Sequence, residues 1–472
     1  MNSYTDFYKH KKKIAFISED NKKISYSKLN LEIEKVKKKI KKNSLIFILA
    51  SNNIECMIVY LAAMKHNAVC LLIESTINRQ NLSRLIKNFR PTYIFSSTKN
   101  NKFVNFKKIL NFKKSNIFEN LKKKKMNFNP KLSLLLMTSG TTGSAKLARF
   151  SFENLNSNAI SISKYSKISS NDTMITTLNP AYSFGLSMIN SHLLKGAKIL
   201  LNNNSIITKQ FLKKVEKYKI STIGGVPFMY EVFDRLNILK KKNYIKKLLQ
   251  AGGSLNVNLQ KKFAKVCKKK IDFFIMYGQT EASPRITYLP PEKFSNKIGS
   301  IGIPIPGGNI KIIDENNNEI RKAYIAGELE YHGKNVFLGY AEKLNDLKKP
   351  DEIKGQLKTG DIAYRDEEGF YYISGRKNRI VKIFGKRINL DNIEKSFNKL
   401  KIENACISEK DILVVFVNDK KNILKSKKIL IKNFNLNKVS FNIKYIKKIP
   451  RLNNGKINYQ CLININDNIE FN

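Results

Sequence analysis

The stretch LLLMTSGTTGSAK, from Leu134 to Lys146, is the most informative part of this chain of 472 residues. It opens with an apolar run, Leu134 to Met137, and then changes abruptly to glycines and small hydroxylated residues. A continuous apolar run of this kind is typical of a strand that is buried on both faces of a sheet. The sequence therefore predicts a buried strand that ends in a polar loop.

The loop carries the groups that bind a phosphate chain. Hydroxyl groups donate hydrogen bonds, glycines let backbone N–H groups approach an anion, and the lysine adds a mobile positive charge. The residues concerned are Thr138, Ser139, Gly140, Thr141, Thr142, Gly143 and Lys146. The spacing differs from that of a Walker loop, which needs a glycine, four residues and then Gly-Lys-Ser/Thr. We predict a triphosphate loop of another kind, although composition alone also fits a surface turn.

Six further segments follow this loop along the chain. They are AGGS (251–254), YGQTEAS (277–283), GELEYHG (327–333), TGD (359–361), GRKNRIVKIFGKRI (375–388) and PRLNNGKI (450–457). Together with TSGTTGSAK, this ordered set resembles the motifs of the adenylate-forming superfamily, and in particular its AMP-dependent acyl-CoA synthetases and ligases. The resemblance covers the whole chain and is weakest in the first hundred residues. It implies an enzyme that joins a carboxylic acid to the α-phosphate of ATP and then transfers the acyl group to a thiol.

The pattern of the chain predicts an α/β fold. Apolar runs such as LIFILA and STIGGV alternate with segments whose apolar residues recur every three or four positions, which is typical of parallel sheets covered by helices. We expect two helix-covered sheets, a smaller β-rich subdomain after Gly299, and a small α+β lobe at the C-terminal end. The resemblance implies an AMP-binding N-terminal domain (1–376), a mobile C-terminal domain (377–472) and a hinge near Lys377 and Asn378. Asn378 departs from the family, which usually has Asp or Lys there.

Three residues would carry the catalysis, according to the resemblance. Glu281 would hold Mg²⁺ through a carboxylate oxygen, and Thr280 would donate its hydroxyl to the α-phosphate. Lys456, in the last motif, would reach the carboxylate and the α-phosphate and stabilise the charge that develops between them. Since Lys456 belongs to the C-terminal lobe, the resemblance also implies that this lobe closes for adenylation and rotates before the thioester forms.

The resemblance implies that further residues bind the nucleotide. Tyr277 offers an aromatic face to adenine, and two glycines let the backbone pack against the base. Asp361 would accept both ribose hydroxyls, with assistance from Arg376. The nucleotide-binding residues outside the first loop are therefore Gly252, Gly253, Tyr277, Asp361 and Arg376.

The identity of the acid is encoded in a less distinctive segment, NPAYSFGLS. Domains of this superfamily that activate amino acids usually have a Phe-Asp pair here, whereas this chain has no carboxylate to bind an ammonium group. We expect an acyl or other non-amino acid, although Ser183 stands near the position of a gating histidine in many relatives. The aromatic residues of the predicted pocket fit a structural core equally well. The predicted substrate-binding residues are Tyr182, Ser183, Phe184, Gly185, Gly225, Gly278, Lys382 and Gly385, the last two on the path of the thiol.

The predicted partners are small molecules. ATP, Mg²⁺ and a carboxylic acid are implied, and the acceptor is either CoA or the phosphopantetheine of an acyl carrier protein. An alternative is a standalone acyl-adenylating enzyme that serves an amine or hydroxyl acceptor.

The formal charge of +50 raises a second alternative, a basic nucleic-acid-binding protein. The lysines are spread along the whole chain, often beside Asn and Ile, which favours a genome-wide codon bias instead. We expect no specific nucleic-acid partner.

The remaining composition favours a cytoplasmic enzyme. The most apolar region, 45–73, is interrupted by polar residues, and the N-terminal segment lacks the long apolar core of a secretion signal, so we expect no membrane span. The five cysteines lack Cys-x-x-Cys spacing, which argues against a disulfide framework and a zinc site. We expect buried free thiols.

Overall fold

The computed structural model describes residues 3–97, 101–122, 126–138, 146–240, 244–267, 270–383, 386–409, 411–451 and 457–469. These residues divide into two compact units. The first contains the described residues up to 310 and residues 331–357, and the second contains 311–330 and the described residues from 358 onward. The predicted domain boundary at 376/377 lies within the second unit and stays a prediction.

The helices and strands alternate along much of the chain, as the sequence pattern predicts. The helices are α1 (Tyr26–Lys37), α2 (Ile54–Lys65), α3 (Arg79–Phe89), α4 (Phe152–Tyr165), α5 (Ser183–Leu194), α6 (Lys209–Lys217), α7 (Pro227–Arg235), α8 (Val257–Cys267), α9 (Leu390–Lys399), α10 (Asn422–Phe434) and α11 (Tyr459–Ile469). The strands are β1 (Ile14–Ile17), β2 (Lys23–Ser25), β3 (Leu45–Ala50), β4 (Val69–Glu74), β5 (Tyr93–Ser96), β6 (Phe106–Asn111), β7 (Asn116–Asn120), β8 (Leu132–Met137), β9 (Leu147–Ser151), β10 (Thr173–Ile175), β11 (Lys198–Leu200), β12 (Thr222–Gly225), β13 (Lys247–Gln250), β14 (Asp272–Tyr277), β15 (Thr287–Leu289), β16 (Ile303–Pro304), β17 (Gly308–Ile313), β18 (Gly327–Gly333), β19 (Gly339–Ala341), β20 (Gln356–Arg365), β21 (Tyr371–Arg376), β22 (Ile380–Ile383), β23 (Lys386–Asn389), β24 (Asn404–Glu409), β25 (Ile412–Val417) and β26 (Phe441–Tyr445).

Two large sheets form the first unit. One has the strand order β16-β15-β14-β13-β12-β10-β11-β1-β2, and its strands from β14 to β1 run parallel. The other has the order β19-β9-β8-β4-β3-β5-β7-β6, with parallel pairing from β8 to β5. Since parallel strands expose their carboxyl ends at one edge, the loops that follow them lie close together there.

The apolar region 45–73 forms the centre of the second of these sheets. All residues of β3 are buried, as is nearly every residue of α2. The side chain of Asn53 caps α2 by accepting from the backbone N–H of Cys56 at 2.7 Å. This region is therefore a buried strand-helix-strand unit, which explains its long apolar character. Among the described residues, no helix is both long and apolar enough to cross a bilayer.

The second unit is built from smaller sheets. A four-stranded sheet has the order β17-β18-β20-β21, followed by the hairpin β22-β23 and the three-stranded sheet β24-β25-β26. Helices α9 and α10 bury Ile393, Phe397 and Leu430 in a core shared with β24 and β25. This part of the chain is the small α+β lobe that its strand and helix patterns predict.

All five cysteines are free thiols, and four of them are buried as expected. Cys56, Cys70, Cys267 and Cys406 are buried, and Cys461 is half-buried. Burial raises the pKa of the Cys56 and Cys267 thiols to about 12, so both side chains are neutral at physiological pH.

Candidate active site

The polar loop begins and ends where the sequence predicts. Strands β8 and β9 form an antiparallel hairpin around it, in which Met137 pairs with Leu147. The backbone N–H and the hydroxyl of Thr138 donate to the Lys146 carbonyl oxygen at 3.2 and 3.0 Å, which closes the base of the loop. Ser139, Gly140, Thr141, Thr142 and Gly143 lie outside the described residues.

The side chain of Lys146, which directly precedes β9, lies beside an acidic and an aromatic side chain. Its Nζ lies 3.3 Å from Glu342 Oε1 and 5.9 Å from the centre of the Tyr340 ring. Strand β19 pairs with β9, with Tyr340 opposite Ala148, and this pairing places Tyr340 next to the end of the loop. Both charges are substantially exposed, so the ion pair itself contributes little to stability and leaves the lysine available to a ligand.

Glu281 lies in the same cluster. Its Oε1 accepts a hydrogen bond from the Tyr340 hydroxyl at 2.8 Å, and its backbone carbonyl accepts from the Phe337 N–H at 2.9 Å. Burial and the charge of Glu281 raise the pKa of the Tyr340 phenol, so Tyr340 stays a donor at physiological pH. Thus a lysine, a tyrosine and a carboxylate from three separate segments meet at the end of the polar loop.

A buried asparagine fixes the YGQTEAS segment through hydrogen bonds. Asn335 donates from Nδ2 to the carbonyl oxygens of Ala282 and Arg285 at 2.6 and 2.8 Å. The backbone carbonyl of Asn335 accepts from the Ser283 hydroxyl at 2.7 Å. The Tyr331 hydroxyl donates to Asn335 Oδ1 at 2.7 Å. These bonds fix the backbone on which Thr280 and Glu281 are mounted.

The predicted acyl segment lies at the carboxyl ends of β3 and β4. Asn179 donates from Nδ2 to the Ala50 carbonyl at 3.0 Å, and the Tyr182 hydroxyl donates to Glu74 Oε2 at 2.9 Å. Burial and the hydrogen bond to Glu74 raise the pKa of Tyr182 to about 12. The hydroxyls of Ser183 and Thr280 lie 3.2 Å apart, which brings this segment to the YGQTEAS loop.

Two glycines at this place are required by close packing. A Cβ atom on Gly185 would lie 2.6 Å from the Asn179 carbonyl oxygen, and one on Gly278 would overlap the Pro284 carbonyl. No side chain fits at either position without movement of the backbone. Phe184, which directly precedes Gly185, is buried, and the centre of its ring lies 4.3 Å from the Arg285 guanidinium carbon.

The predicted adenine-binding residues share one sheet edge with Gly225, which is predicted to bind the substrate. Strands β12, β13 and β14 are parallel neighbours. Gly225 and Tyr277 are the last residues of β12 and β14, and Gly252 and Gly253 lie two and three residues after the end of β13. The sheet therefore brings these four residues to one edge.

The second unit holds the other predicted nucleotide ligands. Asp361 and Arg376 are cross-strand partners on β20 and β21, and Arg376 Nε lies 3.3 Å from Asp361 Oδ1. The Arg376 backbone N–H donates to Asp391 Oδ2 at 3.1 Å. Lys382 is exposed on β22. Gly385 and Lys456 lie outside the described residues.

Comparison with known proteins decides the family. Residues 5–341 match the family model described as "AMP-binding enzyme", which is more than half of the chain. The chain belongs to this family.

Named relatives of the AMP-binding chain are CoA ligases. The long-chain-fatty-acid–CoA ligase of Escherichia coli O157:H7 is 30% identical over 272 residues, which cover 56% of this chain and 47% of that protein. The 2-succinylbenzoate–CoA ligase of Bacillus subtilis (strain 168) is 28% identical over 265 residues, covering 55% of this chain and 52% of that enzyme. The chain thus spans about half the length of the curated relatives it matches.

Solved structures share the fold of the AMP-binding chain over nearly its whole length. ATP-bound MatB from Rhodopseudomonas palustris superimposes with a TM-score of 0.77, 18% identity and coverage of 99% of each chain. The o-succinylbenzoate CoA synthetase of Bacillus subtilis with its acyl-adenylate gives a TM-score of 0.77, 18% identity and 98% coverage of each chain. The predicted α/β fold is confirmed by these likenesses.

The sequence alone did not indicate two residues of the candidate site. Tyr340 was not singled out because it lies outside the quoted motifs, and only the pairing of β19 with β9 brings it to Glu281. Asn335 was missed because a single asparagine carries no pattern of its own. Only the structure indicates Asn335, as a buried amide that is hydrogen-bonded to the backbone of the YGQTEAS segment.

Proposed function

We propose that this protein is an AMP-forming acid–thiol ligase. It activates a non-amino carboxylic acid with ATP, forms an acyl-adenylate, and transfers the acyl group to CoA or to the phosphopantetheine of a carrier protein. In the first step a carboxylate oxygen bonds to the α-phosphorus and pyrophosphate leaves. In the second step a thiol sulfur bonds to the acyl carbon and AMP leaves.

The observation that carries this proposal is the cluster of Lys146, Tyr340 and Glu281 at the end of the polar loop. Both reactants of the first step are anions, so the site must neutralise charge and align the reacting atoms. Lys146 supplies a mobile cation within reach of the loop that is expected to hold the β- and γ-phosphates. Its exposed partner Glu342 is easily exchanged for a phosphate, because both side chains are open to water.

Magnesium fits this cluster as a phosphate-bound ion. Among the described residues, no group of three or more His, Cys, Asp or Glu side chains is arranged to hold a metal. Mg²⁺ commonly uses one or two carboxylates and completes its shell with phosphate oxygens and water, so Glu281 suffices as its protein ligand. When bound, the ion would neutralise phosphate charge. Tyr340 would orient the Glu281 carboxylate, leaving the second oxygen for the metal.

The other chain segments supply binding and orientation. Thr280, whose hydroxyl lies 3.2 Å from that of Ser183, would bridge the α-phosphate and the acid. Asp361 would bind the ribose hydroxyls, and Lys456 would stabilise the attacking carboxylate. The acceptor proposed first is CoA, because the long-chain-fatty-acid and 2-succinylbenzoate relatives are named as CoA ligases.

The test is acid-dependent exchange of labelled pyrophosphate into ATP, run over short, medium, long-chain and aromatic acids. We expect exchange with at least one acid, dependent on Mg²⁺, and an acyl-hydroxamate when hydroxylamine is added. AMP release should then rise on addition of CoA or a phosphopantetheinylated carrier protein. Absence of exchange across the panel would refute the proposal. If exchange occurs but AMP release does not increase on addition of either thiol, the acceptor is an amine or a hydroxyl group instead.

A further inference from the structure

Arg285 is a buried cation with incomplete pairing. It lies two residues after the YGQTEAS segment, and only 1% of its surface is exposed. Its Nε and Nη2 atoms are buried without a hydrogen-bond partner. Its guanidinium interacts with the neutral hydroxyl of Tyr165, which itself donates to Met276 Sδ at 2.9 Å.

Other buried cations of the described chain show what Arg285 lacks. Arg149 lies 2.5 Å from a carboxylate oxygen of Glu352 and donates to three backbone carbonyls. Lys247 lies 2.7 Å from Asp172. Arg379 pairs with Asp391 and Glu394 at 2.8 and 2.5 Å. None of the described carboxylates forms an ion pair with Arg285.

A guanidinium in this situation is energetically unfavourable. An arginine stays protonated in proteins, and burying a charge without a counter-charge costs far more than burying a paired one. Burial accordingly lowers the pKa of the Arg285 guanidinium. An anionic ligand that reached Nε and Nη2 would remove this penalty, because the planar fork of arginine matches the two oxygens of a carboxylate.

The position of Arg285 says which ligand can reach it. Its guanidinium carbon lies 4.3 Å from the centre of the Phe184 ring, in the first turn of α5 and within the predicted acyl segment. Its backbone carbonyl is fixed by Asn335, and a Cβ atom on Gly278 would come within 3.0 Å of its Cα. The Arg285 guanidinium therefore packs against Phe184 of the predicted acyl segment, and its backbone is held in place by Asn335 and by close packing against Gly278.

We propose that the acid substrate carries a second carboxylate, distal to the reacting one, and that this group pairs with Arg285 after the Phe184 ring has turned aside. The inference rests on the proposed function and names the substrate class of the same site. The distal carboxylate takes no part in bond making; it fixes the orientation of the acid and sets specificity. Before the substrate binds, the Phe184 ring excludes water from the Arg285 guanidinium.

The first experiment uses the wild-type protein and matched acids. Pyrophosphate exchange is measured with unbranched monocarboxylic and α,ω-dicarboxylic acids of equal carbon number, from four to ten carbons. The best dicarboxylate should exceed its monocarboxylate partner in kcat/KM by at least about 30-fold, as expected for a desolvated charge pair. Equal or higher kcat/KM for the monocarboxylates would overturn the inference and leave the proposed function intact. If none of the acids supports pyrophosphate exchange, both the inference and the proposed function are overturned.

The second experiment changes the cation. Arg285→Met should lower kcat/KM for the preferred dicarboxylate to the level of its monocarboxylate partner, with the monocarboxylate itself little changed. Arg285→Lys should keep part of the preference, since it retains charge but not the bidentate fork. Arg149→Met is the matched control, because this equally buried arginine already has a carboxylate and should affect both acids alike.

A binding measurement separates specificity from structure. Without ATP, the preferred dicarboxylate should raise the thermal midpoint of the wild-type protein and not that of Arg285→Met. A purely structural arginine would instead give a lower midpoint with an unchanged ratio of the two kcat/KM values, and that result would overturn the inference. If Arg285→Met does not fold, the wild-type acid panel decides the question alone.

Discussion

At the scale of single residues, the carboxylate of Glu281 is the most consequential group of the candidate site. Glu281→Gln keeps its shape and its bond to Tyr340 but removes the charge that would hold Mg²⁺. We expect acid-dependent pyrophosphate exchange to fall by about 100-fold or more, with an unchanged thermal midpoint. Tyr340→Phe, which spares the charge, should cost less. Wild-type exchange by Glu281→Gln would exclude this role.

A second residue-scale prediction concerns acid stability. His192 on α5 is fully buried, its Nδ1–H donates to the Met188 carbonyl at 2.7 Å, and Nε2 has no partner among the described residues. Burial lowers its pKa to about 4, against the opposing effects of the Met188 carbonyl and Asp172. Because the folded protein disfavours protonation here, this contribution to stability is present above the unfolded pKa of about 6.5 and is lost as the pH falls toward 4.

His192→Asn should therefore flatten the pH dependence. Between about pH 6.5 and 4, the wild-type free energy of unfolding should fall more than that of the variant, by up to about 3 kcal/mol. Urea unfolding at several pH values measures this difference. His66→Asn is the control, since His66 is partly exposed and should change the profile much less. Parallel profiles for wild type and His192→Asn would contradict the prediction.

The residues of the site differ in how well sequence could predict them. Thr138 and Lys146 close the base of the polar loop, and Asp361 contacts Arg376. The motifs name all four residues, and their roles in nucleotide binding stay predictions. Tyr340, Asn335 and Arg285 were not predicted, because their importance arises from contacts across long sequence separations. A buried arginine without a carboxylate, for example, is recognisable only when the surrounding side chains are in place.

At the scale of elements, the apolar runs were reliable guides. LIFILA and STIGGV correspond to β3 and β12, and the segment FLKKVEKYKI with its three- and four-residue spacing corresponds to α6. The order of the strands could not be predicted from the sequence. Strand β1 pairs with β11, and β9 pairs with β19, and no local pattern links segments that lie so far apart in the chain. Short strands such as β16 also lack a periodic signal.

One element-scale prediction concerns the network that ties α9, β24 and α11 together. Glu394 accepts from Arg379 Nη2 at 2.5 Å, from the Cys406 N–H at 2.7 Å and from the Tyr459 hydroxyl at 2.9 Å. Glu394→Leu leaves a buried arginine and a half-buried tyrosine without this acceptor, so we expect a loss of roughly 3 kcal/mol in the stability of this lobe.

Amide hydrogen exchange in β24 and α11 measures the loss locally. Glu403→Leu is the matched control, since Glu403 also pairs with an arginine, at 3.0 Å from Arg451, but both partners are exposed at 44%. Its effect should stay below about 1 kcal/mol. Equal protection in Glu394→Leu and wild type would show that the network does not stabilise the lobe.

At the scale of the whole molecule, the charge of +50 predicts weak and unspecific attraction to polyanions. Two unrelated DNA duplexes should bind equally, and the affinity should fall by about 1,000-fold or more between about 50 and 200 mM salt. Fluorescence anisotropy with labelled duplexes measures both. Preference for one duplex, or tight binding retained near physiological salt, would favour a nucleic-acid function over codon bias.

The last prediction concerns the division of labour between Lys146 and Lys456. The resemblance to adenylate-forming enzymes assigns the departing pyrophosphate to the first lysine and the acid and α-phosphate to the second. Lys456 is therefore needed while the carboxylate attacks and has no part once the adenylate exists. Lys456→Ala should abolish pyrophosphate exchange yet form thioester from presynthesised acyl-adenylate and CoA at a rate close to wild type. Lys444→Ala changes a half-buried lysine on β26; it is the control and should leave both half-reactions unchanged. An equal loss of both half-reactions in Lys456→Ala would mean that this lysine acts by supporting the lobe, because a group specific to adenylation cannot slow a step that begins after adenylation is complete.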